Sequence, residues 1–238
     1  MPRGCRVADI NSKTPYEPPP ESGYAAERKN MVETQLRKRG IRDARVLEAM
    51  SIVPRHEFVP PQLRPAAYAD EPLGIGGGQT ISQPYIVASM SAALRLSGTE
   101  QVLEIGTGSG YQAAVLSLLV REVYTIESRP ELAKSALERL QVLGFDNVHV
   151  HSGDGTLGLK ELAPFDAILV AAAAPALPEP LLEQLGEGGR MIVPIGPEEH
   201  QHLVLVTRRG QEFLSEQRES CRFVPLRGRH GWKDWELL

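Results

Sequence analysis

The chain has 238 residues, a formal net charge of −4 and only two cysteines, Cys5 and Cys221, so one α/β domain with additions fits its length. The acidic balance argues against gripping nucleic acid through phosphates, which needs a positive field, and two isolated thiols argue against a disulfide framework and suit a reducing compartment. The opening MPRGCRVADINSKTPYEPPP lacks the apolar run of ~7–15 residues of a signal peptide, and no later stretch approaches the ~20 apolar residues of a membrane span, so the sequence reads as cytoplasmic, with no membrane partner.

Residues 1–25 offer few side chains to bury and are expected to form an extended or disordered arm. The spacing of Met31, Val32, Gln35 and Leu36 predicts a helix from Ala25 to about Gly40, and ARVLEAMSIV predicts a second, stopped by Pro54. After the Pro-rich VPRHEFVPPQLRP comes GGGQTISQPYIVASM, from Gly76 to Met90. Its latter part has helical spacing through Ile86, Met90, Ala93 and Leu94, with Ser82 or Gln83 as the cap and Pro84 in the first turn. From Gln101 onward strand-like and helix-like runs alternate: QVLEIG, YQAAVLSLLV, EVYTIE, PELAKSALERLQVLG, VHVHSGD, FDAILVAAAA, PEPLLEQLG, GGRMIVPIG. That order predicts a parallel sheet with helices on both faces, and HLVLVTRRG and CRFVPL read as closing strands.

Three successive strand ends carry chemistry. In VLEIGTGSGY the glycines fall at 106, 108 and 110, letting backbone N–H groups approach a ligand before the next helix; Tyr111 stands where a dinucleotide fingerprint wants a third small residue. Glu127 ends the next strand, near the spacing at which a carboxylate meets ribose hydroxyls, and Asp154 in SGDG could accept from an adenine amino group. Taken singly, each has an ordinary explanation: a tight turn, a solvated glutamate, a turn-forming aspartate. Together they describe an adenosine site along the carboxyl edge of a sheet.

The combination resembles the class I S-adenosylmethionine-dependent methyltransferases, a Rossmann-like, doubly wound fold whose sheet is mostly parallel with an antiparallel closing strand. Within that class IGGGQTISQPYIVASM is similar to the segment before the cofactor loop of the protein-L-isoaspartate (D-aspartate) O-methyltransferase family. The likeness continues through VPRHEFVP, HSGDG, LPEPLLEQL, EGGRMIVPIG and CRFVPL, covering about residues 28–227. By this resemblance Ser82 is the active-site serine. Gln79, Thr80, Ile81, Ser82 and Val87 line the cofactor and substrate cleft, and Glu104, Gly106, Thr107, Gly108, Gly110, Glu127, Ser128, Asp154 and Gly155 bind S-adenosyl-L-methionine. Residues 26–238 are then one methyltransferase domain: N-terminal helices and substrate-side segment over 26–98, cofactor core over 99–200, and C-terminal strands and tail over 201–238. Three positions depart from the family pattern: Gly77 for a larger polar residue, Ala171 for a threonine, and Arg227 for an apolar or small residue.

The implied reaction methylates the free α-carboxylate of L-isoaspartyl residues in damaged proteins and peptides, leading through a succinimide back to aspartate. A carboxylate is already ionised at neutral pH, so Ser82 is expected to position the acceptor rather than to act as a base or nucleophile. The alternative on the same fold is a small-molecule or RNA methyltransferase; against RNA stand the acidic charge and AAAAP in place of an NPPY-like clamp. A non-catalytic binding module is the third reading. His149 with His151, and His200 with His202, share strand faces but lack further ligands at zinc spacing, so no metal is expected. His56 is expected to be structural, and the chain to be a monomer.

Overall fold

A computed structural model describes residues 23–197 and 199–233; the expected N-terminal arm lies outside the described residues up to position 22. The first helix, α1 (Ala25–Asn30), runs on as a π-helical turn over Met31–Arg37 that buries Met31, Val32 and Leu36. Helix α2 (Ala44–Ile52) is capped by Asp43, whose carboxylate accepts from the N–H groups of Arg45 and Val46, and it ends two residues before Pro54 with Val53 extended between. The glycine-rich stretch then folds as a hairpin of β1 (Leu73–Gly76) and β2 (Gln79–Ile81), and α3 (Pro84–Ala93) follows.

Next come β3 (Gln101–Ile105), α4 (Tyr111–Ser117), β4 (Glu122–Glu127), α5 (Pro130–Val142), β5 (Val148–Ser152), β6 (Phe165–Val170), α6 (Glu179–Glu183), β7 (Leu185–Ile195), β8 (Gln201–Arg209) and β9 (Glu212–Cys221). The last seven strands form one sheet in the order β5-β4-β3-β6-β7-β8-β9. Pairings from β5 through β7 are parallel; β8 runs antiparallel to β7, and β9 to β8. Parallel strands covered on both faces need apolar side chains on both, which is why QVLEI and FDAILV read as near-continuous apolar runs. Val102, Val123, Ala167 and Ile192 join the core under the N-terminal helices, α4 and α5, while Leu103, Ile126, Ile168 and Met191 join the core on the α6 side.

The chain enters at β3, steps outward to β4 and β5, then crosses back to β6 on the other side of β3. This reversal opens a crevice at the carboxyl ends of β3 and β6, the position at which open α/β sheets bind ligands.

One local expectation is corrected. The closing strand after β8 is β9; CRFVPL supplies only its last residue, Cys221, and then leaves the sheet with isolated bridges such as Ala173 to Pro225. Of the two residues expected to cap α3, Gln83 takes the N-cap position, with Pro84 at the first helical positions and no side-chain capping bond.

Candidate active site

The cofactor loop is shaped by its glycines. Gly106 and Gly108 have φ of +93° and +53°, a left-handed backbone that other residues adopt only with strain. That conformation turns the Gly108 N–H onto Glu127 Oε2 at 2.8 Å, and the Gly106 N–H onto the Ile126 carbonyl at 2.8 Å. The Thr107 and Thr125 hydroxyls bond each other at 2.7 Å beneath the loop. Glu127, 6% exposed, also accepts from the Arg129 N–H at 3.1 Å through Oε1. The loop and the β4 carboxylate are therefore one rigid unit, and Glu127 has lone pairs to spare for hydroxyl donors.

A cleft of about 840 Å³, counted to its solvent-open mouth, occupies the crevice. Gln79, Thr80, Ile81, Ser82 and Val87 line it from the hairpin and α3; Glu104, Gly106, Thr107, Gly108, Glu127, Ser128 and Gly155 line it from the strand ends. Gly110 and Asp154 lie outside the lining. Gly110 sits behind the loop at the start of α4 against Leu140, and both Asp154 oxygens accept bonds from within the protein, from Thr156 and from the Arg229 N–H. The lining also includes Arg129, which no motif announces, together with two departures from the family pattern, Ala171 and Arg227, and Val224–Leu226 of the family-like CRFVPL.

Glu104 is the strongest chemical feature of the cleft. It is fully buried, and neither carboxyl oxygen has a hydrogen-bond partner among the described residues. Burial pushes its pKa up to about 8; the Thr125 hydroxyl offsets this only in part, being engaged with Thr107, and the Glu127 charge adds to the rise. A buried acceptor without a donor destabilises a protein unless a ligand completes it. The site therefore fits a ligand that carries a cationic donor, such as an amino-acid ammonium group, close to a ribose.

A second cavity of about 770 Å³ abuts the first and shares Thr80, Ser82, Ala171 and Val224 with it; Pro72, Gln83, Ile86 and the stretch 220–223 complete its walls. Ser82 is half-buried on the shared wall, and its hydroxyl has no hydrogen-bond partner among the described residues. At the Gly77 departure the backbone has φ +57°, and a side chain there would meet the Arg129 guanidinium at 3.4 Å.

The remaining candidates belong to the scaffold. His56 is buried, bonded through Nδ1 to the Tyr68 hydroxyl at 2.8 Å, with burial lowering its pKa, and it is absent from the cleft lining. His149 bonds Glu122 at 2.9 Å and stacks on Tyr124. Among the described residues no group of three His, Cys, Asp or Glu could hold a metal ion.

A family model described as protein-L-isoaspartate(D-aspartate) O-methyltransferase matches residues 26–231. The chain belongs to that family. A relative from Dictyoglomus thermophilum, named protein-L-isoaspartate O-methyltransferase, is 52% identical over 89% of this chain and 96% of its own. Another from Pelobacter propionicus, named protein-L-isoaspartate O-methyltransferase 2, is 56% identical over 86% and 92%. A solved putative protein-L-isoaspartate O-methyltransferase from Plasmodium falciparum, in complex with S-adenosyl-L-homocysteine, superposes with a TM-score of 0.72 at 27% identity, over 84% of this chain and 98% of that one. The family match thus includes the hairpin, the cofactor loop and the strand ends that carry both cavities.

Proposed function

We infer that the protein is an S-adenosylmethionine-dependent carboxyl methyltransferase that methylates L-isoaspartyl residues of damaged proteins and peptides. The observation that carries the reading is Ser82 on the wall between two abutting cavities, with the buried Glu104 and the Gly108–Glu127 unit on one side of it. Family membership supports the same acceptor.

S-adenosylmethionine supplies the methyl group as an activated sulfonium. The chain supplies position and charge. Glu104, deprotonated, would accept from the ammonium of the cofactor, and Glu127 from its ribose hydroxyls; the Gly106–Gly108 backbone and Gly155 allow close approach. The acceptor carboxylate, with an ordinary pKa near 4, is already ionised at neutral pH, so no general base is needed. What remains is alignment, for which well-oriented intramolecular reactions give about 7–11 kcal/mol as an upper scale. The Ser82 hydroxyl, unpartnered among the described residues, would donate to the acceptor carboxylate, beside the positive end of α3, a helix of 10 residues. Serine esters need an adjacent base; among the described residues none bonds Ser82, so it acts by positioning. We also take the protein to act as a cytoplasmic monomer without nucleic acid. No helix among the described residues is long and apolar enough to cross a membrane.

Replacement of Ser82 by alanine tests the site. S-adenosylhomocysteine binding should be retained while kcat on an isoaspartyl peptide falls by about tenfold or more. Unchanged turnover would remove Ser82 from the reaction.

A further inference from the structure

Beyond β9 the chain runs along both cavities. Residues 222–230, RFVPLRGRH, carry Arg222, Arg227 and Arg229 and no acidic residue, in a protein whose formal net charge is −4. Phe223 and Leu226 are buried and fix the path of this stretch, while the three arginines are exposed. Its backbone is held to the sheet side: the Ala173 N–H donates to the Val224 carbonyl at 2.8 Å, and the Ala173 carbonyl accepts from the Leu226 N–H at 2.7 Å. Arg222 lines the second cavity and Arg227 the cofactor cleft. An exposed side chain that also lines a cavity stands at its rim. One cation therefore sits at the rim of each cavity, with Ser82 on the wall between them.

Among the described residues Arg222 is the only charged side chain in the wall of the second cavity. Burial pushes the Cys221 thiol beside it up to about 12, so the thiol is neutral at physiological pH. Two acids adjoin the stretch. The Glu219 carboxylate accepts from the Ser89 hydroxyl of α3, and Asp154 accepts the Arg229 N–H at 2.8 Å. In the cofactor cleft the carboxylates of Glu104 and Glu127 are buried, whereas Arg227 is exposed. The local field at the outer edge, not the net charge of the chain, meets an approaching polypeptide. Arg227 is also a position at which this chain departs from the family pattern, so the rim is a feature of this sequence.

We propose that this basic rim selects acceptors: Arg222 and Arg227 recruit isoaspartyl segments that carry aspartate or glutamate side chains beside the damaged residue. The proposal rests on the second cavity being the acceptor site of the isoaspartyl reaction. A damaged residue belongs to a chain that must leave the cavity past its rim, so the flanking side chains, not the reacting carboxylate, meet these cations. Exposed ion pairs are individually weak and screened by salt, and they act on encounter and binding rather than on the alignment of reacting atoms. The preference therefore belongs to KM, with kcat common to all flanks.

The test uses the full chain and three isoaspartyl peptides that differ only in having glutamate, glutamine or lysine on both sides of the isoaspartyl residue. At low ionic strength kcat/KM should be about fivefold higher with glutamate than with glutamine, and lower again with lysine, at equal kcat. Salt at about 0.5 M should bring the three together. In the Arg222→Gln/Arg227→Gln double variant the glutamate-to-lysine ratio should fall to near one, with each single variant between. The peptides are compared within each protein, so a general loss of activity or stability cancels. Lys134→Gln, on an exposed position of α5 that lines neither cavity, should keep the wild-type ratio. The proposal is overturned by a ratio of one or less in the wild type, or by a ratio that persists in the double variant. It is also overturned if a short RNA inhibits more strongly than a glutamate-rich peptide of equal charge, which would assign the rim to nucleic acid. Should no isoaspartyl peptide be methylated, the acceptor assignment fails, while fluorescence anisotropy of the same peptides, labelled, still decides the charge preference.

Discussion

Replacing Glu104 by glutamine should change how stability and cofactor binding depend on pH, and in opposite senses. An acid whose folded pKa lies at about 8, against an ordinary 4.5, holds its proton in the folded chain after the unfolded chain has lost it. Stability of the ligand-free protein therefore falls as pH rises from 4.5 to 8 and levels off above that window. The interval corresponds to roughly 4–5 kcal/mol at most. Glutamine keeps the shape and removes the titration. Urea melts should give Glu104→Gln and wild type similar stability near pH 5, with the variant the more stable by on the order of a few kcal/mol at pH 8.5. The cofactor ammonium reverses the preference, because a neighbouring cation favours the carboxylate. Binding of S-adenosylhomocysteine at pH 6.5 should then release close to one proton from the wild type, read by calorimetry in buffers of different ionisation enthalpy. The variant should release none and bind more weakly. Equal proton counts in the two proteins, or parallel stability profiles, would refute the assignment of Glu104 as the ammonium acceptor.

Two further outcomes follow from packing around the cleft. A Cβ on Gly155 would stand 2.6 Å from Ile105 Cγ2, so Gly155→Ala should lower stability by about 1–3 kcal/mol in denaturant melts, and a wild-type midpoint would contradict the close packing of the β5 loop on β3. Gln184 is 3% exposed and bonds the Leu157 carbonyl, the Pro180 carbonyl and the Leu159 N–H at 2.7–2.8 Å. Its alanine variant leaves those groups without partners, and should lose about 2–4 kcal/mol and speed hydrogen exchange over residues 155–162; unchanged exchange there would rule out this anchoring role.

The order of strands and helices from Gln101 to β8 is legible in the sequence because the central strands β3 and β6 are near-continuous apolar runs and the helices between strands keep helical apolar spacing, α5 with one polar face and α4 buried almost throughout. Where burial and periodicity part company, legibility ends. Strand β9 is exposed along Glu212–Gln217 and carries little apolar signal, whereas CRFVPL is apolar because Phe223 and Leu226 are buried beyond the end of β9, where the chain has left the ladder. The β1–β2 hairpin was hidden by consecutive glycines, which suit a turn and weaken any strand pattern. The setting of Asp154 is only partly legible for a different reason: its neighbours in sequence suit an adenine contact, while Arg229, whose N–H it also accepts, lies 75 residues away, and nothing local reports that bond. Arg55, beside His56, carries no sequence signal of its place because charged side chains are seldom fully buried; it is buried, bonds the Ala67 carbonyl at 2.7 Å and lies over the ring of Tyr111, a residue of the cleft lining.

The acceptor is tested most directly by incubating the protein with methyl-labelled S-adenosylmethionine and two peptides that differ only in an L-isoaspartyl or an L-aspartyl residue. Base-labile label on the isoaspartyl peptide alone, followed by accumulation of succinimide and aspartyl peptide, is the expected result. Label on both peptides equally, or on neither while S-adenosylhomocysteine still binds, would contradict it.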